Sequence, residues 1–103
     1  MQLLNIDYIP GKEIEALGLV KGTVVQSKHM GKDLMASVKT LVGGEIKGYT
    51  EMLVEACKIA TNRMEEEAKA MGADAVLNIR YSSSAIMQGA AEVVAYGTAV
   101  KFK

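Results

Sequence analysis

The last third of the chain allows few folds. Residues 65–80 run from Glu65-Glu66-Glu67 through Ala68, Met71, Gly72 and Val76 to Arg80, and the chain then closes on Glu92-Val93-Val94-Ala95-Tyr96-Gly97-Thr98-Ala99-Val100. This is the end of a long helix, a glycine stop, a strand, a loop and a final strand. Upstream, Tyr49, Leu53, Ala56, Ala60, Met64, Ala68 and Met71 recur every three or four residues, while Glu51, Glu55, Lys58, Asn62, Glu66 and Lys69 take the opposite face. That spacing predicts an amphipathic helix over 49–71, about 33 Å long at 1.5 Å per residue. Gly72 is placed to close it in a left-handed cap.

Residues 2–7 alternate weakly and suit a short edge strand, and Pro10-Gly11 marks a turn. Lys12 to Leu17 suggests a brief helix stopped by Gly18. Leu19 to Lys28, rich in Val and Thr, reads as a strand, with Gly22 marking a bulge or a close backbone approach. Residues 31–42 have helical spacing, broken by Gly43-Gly44. Asp74 to Tyr81 is a strand, residues 82–90 are small and polar and read as a hairpin loop, and Glu92 to Phe102 is the last strand. The expectation is one α+β domain spanning 1–103, a small antiparallel sheet with one long helix packed across it.

The final strand has two unlike faces. Ala91, Val93, Ala95, Gly97 and Ala99 form a small face that a helix can approach closely. Val94, Tyr96, Thr98, Val100 and Phe102, beside Glu92, form a bulkier and largely apolar one. One helix cannot cover both, and exposed apolar area costs about 25 cal/mol per Å². The second face therefore predicts self-association, unless residues 31–42 and the N-terminal segment cover it.

Composition excludes several classes of function. Of 103 residues, Lys+Arg number 12 and Asp+Glu 12, so no basic field attracts nucleic acid or an anionic membrane surface. No apolar run approaches the roughly 20 residues that span a bilayer, and the N-terminal residues lack the pattern of a signal peptide. The single Cys forms no internal disulfide and suits a reducing cytoplasm.

Several segments carry a resemblance: Gly18-Leu19-Val20-Lys21-Gly22, Val42-Gly43-Gly44-Glu45 followed by Tyr49-Thr50, the Met64 to Val76 passage, and Tyr96-Gly97-Thr98-Ala99-Val100. In this order and spacing the chain resembles, nearly end to end, the YbjQ-like family of small uncharacterised prokaryotic proteins labelled heavy-metal-binding. The resemblance implies a subunit fold similar to that of dodecin and a ring-like homo-oligomer, a pentamer or its multiple. It supplies no catalytic residues. Cys57 stands where Arg is expected and Asp74 where Asn is usual, so Cys57 is not a family-wide metal ligand.

The candidate sites are sparse. Zinc typically takes four ligands, and here one His, His29, and one Cys, Cys57, lie on different elements. A ring would repeat each donor around an axis, and His29-Met30 pairs donors suited to soft metals. The competing reading puts His29 in solvent at a strand end and Cys57 in the core as a small hydrophobe. Met64 and Met71 share a helix face and read as core. Val42-Gly43-Gly44-Glu45 could cradle an anion ahead of the helix but lacks the Lys and Ser/Thr of a phosphate loop; a sharp turn between two helices explains it as well. Glu45, Tyr49, Glu92, Tyr96 and Thr98 are polar residues on the motif segments, suited to a subunit boundary. The Glu65-Glu66-Glu67 run reads as a solvated helix face.

Three functions follow. The favoured one is a non-catalytic cytoplasmic ring holding a small ligand or heavy metal ion. The second is an enzyme with its active site at the subunit boundary, which lacks a visible nucleophile–base pair. The third is a dodecin-like flavin store, by fold analogy alone, without the Trp that would stack best on the ring.

Overall fold

A computed structural model describes residues 1–27 and 44–103, with side chains along the helix described from Gly48. The elements are β1 (Gln2–Leu3), β2 (Ile14–Ser27), α1 (Gly44–Ala70), β3 (Ala75–Met87) and β4 (Ala90–Phe102). The sheet order is β1-β3-β4-β2. β4 pairs antiparallel with β2 and β3, but β1 runs parallel to β3 through Gln2↔Ala75 and Leu3↔Val76. The sheet is therefore mixed rather than wholly antiparallel. The fold is α+β, with one helix across one sheet. The expected helix over residues 31–42 lies outside the described residues.

The helix starts earlier than its apolar repeat and is 27 residues long, about 40 Å. Ala56, Ala60, Met64 and Ala68 are fully buried, which is the predicted stripe. Beneath it lie Val20, Gly22 and Val24 of β2 and Ala91, Val93, Ala95, Gly97 and Ala99 of β4, the predicted small face. Small residues on both sides let the backbones come close. A Cβ on Gly22 would collide with the Ala60 carbonyl oxygen and the Met64 backbone nitrogen, and would lie 2.8 Å from Arg63 Cβ. Gly22 thus marks a close approach; the bulge in β2 falls instead between Ala16 and Gly18.

Gly72 ends the helix at φ +80°. Its N–H donates to Lys69 O (3.0 Å) and that of Ala73 to Ala68 O (3.1 Å), the paired bonds of a Schellman cap. Met71 lies past the helix end and is 41% exposed, so it is not core as its spacing suggests.

Two local expectations are corrected. Residues 12–17 hold no helix: from Ile14 onward the chain pairs with β4, as Ile14↔Phe102, Glu15↔Lys101 and Ala16↔Val100. Ladder bonds and the packing of Ile14 against Phe102 and Val100 outweigh a weak local helical preference. Residues 82–90 are not a loop either. Ser82, Ser83 and Ser84 pair with Val94, Val93 and Glu92, and the turn is only Gln88-Gly89, with Gly89 at φ +77°. Serine favours turns when isolated, but β4 satisfies these backbones.

Candidate functional site: the open half of the sheet

The second face of the sheet is divided. Ile9, Ala75, Leu77 and Val100 are buried together near one end, flanked by Leu4, Ile14 and Phe102. The N-terminal segment is held there by backbone bonds from Leu4 N to Val76 O (2.9 Å), Asn78 N to Ile6 O (3.0 Å) and Ile79 N to Leu4 O (3.1 Å). Asn78, at φ 55°, is the extra residue of a bulge between Leu77 and Arg80, and its freed N–H reaches this segment. The N-terminal segment therefore covers Val100 and Phe102.

Among the described residues nothing covers the other half of the face. Its cross-strand rows are Leu19 beside Thr98, then Lys21–Tyr96–Arg80, Thr23–Val94–Ser82 and Val25–Glu92–Ser84. Residues opposite one another on a face lie about 5 Å apart, so each row is a short band of neighbouring side chains. Leu19 is 69% exposed, Val25 57% and Tyr96 38%. Lys21 and Arg80 flank Tyr96, and among the described residues neither is in an ion pair. Arg80 Nη1 donates only long bonds to Ile79 O (3.3 Å) and Asn5 O (3.4 Å).

Three of the five boundary candidates, Glu92, Tyr96 and Thr98, thus share this half-face. The immediate neighbours of Glu92 across the strands are Val25 and Ser84, neither able to complete an acid–base pair. Tyr49 is half-buried on α1, on the helix side of the sheet, and Glu45 lies in the first turn of α1. One chain does not bring all five together.

The metal candidates fare similarly. His29 and Met30 lie outside the described residues, as do Val42 and Gly43 of the proposed anion loop; Gly44 opens α1. Cys57 is half-buried against the core. Among the described residues no three His, Cys, Asp or Glu side chains converge, so those residues alone build no metal centre. Glu66 and Glu67 are exposed, as on a solvated face, with Glu67 Oε1 also accepting the Lys21 N–H at 3.2 Å; Glu65 is half-buried, its carboxylate 3.6 Å from the N-terminal amine and 3.8 Å from Lys69 Nζ.

One pairing was hidden from the sequence. Thr61 Oγ1 and Tyr81 Oη lie 2.8 Å apart. With 82–90 taken as loop, the strand stopped at Tyr81. A strand continuing to a two-residue Gln88-Gly89 turn would have placed Tyr81 on the helix side.

The model of the YbjQ family, described as "Putative heavy-metal-binding", matches residues 1–103. The chain belongs to this family. Its YbjQ relatives include a UPF0145 protein of Clostridium novyi, 67% identical over 98% of both chains. Another, of Thermotoga maritima, is 59% identical over 100% of this chain and 98% of its own. Among solved structures, a protein of unknown function of the DUF74 family from Pediococcus pentosaceus superposes with a TM-score of 0.68. It covers 100% of this chain and 98% of that one at 13% identity, a likeness of fold alone. No helix among the described residues is long and apolar enough to cross a membrane.

Proposed function

We propose that this YbjQ-family chain is a non-catalytic binding module that assembles into a cytoplasmic ring, a pentamer or its multiple, and holds a small ligand or metal ion where subunits meet. The observation that carries the reading is the open half-face, with Leu19, Val25 and Tyr96 exposed around Lys21, Arg80 and Glu92. Exposed apolar side chains interleaved with charged ones on one sheet face suit an interface.

The placement of the candidate residues supports a ring over a two-fold dimer. Glu92, Tyr96 and Thr98 lie on the open face, and Glu45 and Tyr49 on the helix behind it. Only a contact between unlike surfaces of neighbouring subunits unites the two sets, and such head-to-tail contacts give a ring when the rotation from one subunit to the next closes. The family description brings metal binding to this chain as part of the proposal. Donors would come from several chains, because the described residues of one chain bring too few together. The lone Cys57 suits a reducing compartment.

Native mass spectrometry before and after a chelator tests the reading. A ring carrying chelator-removable mass supports metal holding; a bare ring keeps the architecture and directs the search to organic ligands. A monodisperse monomer at micromolar concentration overturns the proposal.

A further inference from the structure

A second feature, complete within one chain and independent of the ring, lies on the helix side of the sheet. A cleft of about 360 Å³ opens between α1 and the β1 edge, lined by Leu3, Leu4, Asn5, Thr61, Ile79 and Tyr81. Its volume falls near the lower end for small-molecule sites, roughly 300–1,000 Å³. Leu3, Leu4 and Ile79 form an apolar wall, and Thr61 and Tyr81 present two hydroxyls.

The protons of that pair can be assigned. Thr61 Oγ1 lies 2.7 Å from the Cys57 carbonyl oxygen. Two oxygens that close need a proton between them, and a carbonyl has none to give. The single Thr61 proton therefore goes to Cys57. A hydroxyl has one proton and two lone pairs, so in the 2.8 Å contact with Tyr81 Oη Thr61 must accept and Tyr81 must donate. Both protons are then committed inside the protein, and towards the cleft the pair offers lone pairs alone.

We propose that this cleft is a binding site for a small, flat, largely apolar molecule carrying an N–H or O–H donor. The donor meets Tyr81 Oη and Thr61 Oγ1, while the body lies on Leu3, Leu4 and Ile79. Tyr81 is half exposed, so the hydroxyl pair is reachable from solvent. A ligand with only acceptors meets lone pairs with lone pairs and is disfavoured.

Indole and 1-methylindole share one body and differ in a single N–H donor, and each is titrated into ¹⁵N-labelled protein. Indole is expected to shift the amides around Leu4, Asn5 and Ile79 saturably. The methylated analogue should bind roughly tenfold more weakly, the worth of one hydrogen bond. Thr61→Val removes the acceptor that holds the Tyr81 proton and frees it to donate outward. That variant should gain affinity for 1-methyl-2-pyridone, a carbonyl acceptor without a donor, relative to wild type. Equal binding of the two indoles, or shifts centred elsewhere, overturns the proposal. So does a folded Thr61→Val protein whose preference is unchanged. Should that variant fail to fold, the indole comparison in wild type still decides. None of these readouts depends on oligomeric state, so failure of the ring leaves this test intact.

Discussion

At Gly22 the helix leaves room for a hydrogen and nothing larger. The atoms that a methyl group would strike are Ala60 O and Met64 N, both backbone, so no rotamer change relieves the clash. We expect Gly22→Ala to cost about 3 kcal/mol or more, at the top of the range for overpacking, visible as a large fall in thermal midpoint; an unchanged midpoint would mean that α1 does not lie this close to β2. Asp74 gives a gentler case. Its Oδ2 accepts the Phe102 N–H at 2.7 Å, and an amide oxygen can do the same. Asp74→Asn should leave urea stability nearly unchanged, whereas Asp74→Ala strands a backbone donor and should cost about 1–2 kcal/mol. Equal losses in both variants would show that the charge matters rather than the acceptor. Gly22 and Gly72 were legible because glycine within a strand or after an apolar repeat has few physical uses. The roles of Thr61 and Tyr81 were not, because proton assignment needs two distances, one of them between residues 20 apart in sequence.

Among the elements, β2 is the edge strand with most backbone to hide. Two side chains of α1 reach over it: Arg63 Nη1 donates to Thr23 O at 2.7 Å, and Glu67 Oε1 accepts from Lys21 N. Charged groups over an edge discourage pairing with another chain. Glu67→Ala should speed hydrogen exchange at the Lys21 amide several-fold with little change at Val20, and Arg63→Ala with Glu67→Ala should raise concentration-dependent aggregation. Unchanged exchange at Lys21 would show that water replaces the carboxylate without loss. The same strand shows where local reading stops. Leu19 to Ser27 announced itself through Val and Thr, but residues 14–17 became strand only because β4 lies beside them. The serines at 82–84 are the same lesson: their pairing with β4 follows from a turn at Gln88-Gly89, and that turn is inconspicuous among small residues. The long helix was legible because 3.6-residue periodicity over about six turns is a strong signal.

For the whole molecule, the uneven covering of the sheet is the property that asks for a partner. Val94→Asp and Tyr96→Asp each put a carboxylate into the open half-face, and each should lower the assembled mass in native mass spectrometry. Wild-type assembly in both sheet variants would move the interface elsewhere. The two faces could be read from alternation in one strand, but the division of the second face could not, because Ile9 reaches Leu77 and Val100 only through the path of the N-terminal segment. Three bulges, between Ala16 and Gly18 in β2 and between Leu77 and Arg80 and between Ala85 and Met87 in β3, have a consequence for shape. β3 uses 13 residues, Ala75–Met87, where β4 spends 11 between Ala90 and Val100; β2 uses 14 where β4 spends 13. Both neighbours are longer than the midline they share. A leaf whose margins outgrow its midrib cannot lie flat, and this sheet likewise must curl, by an amount written into the chain as surplus residues beside a shorter central strand.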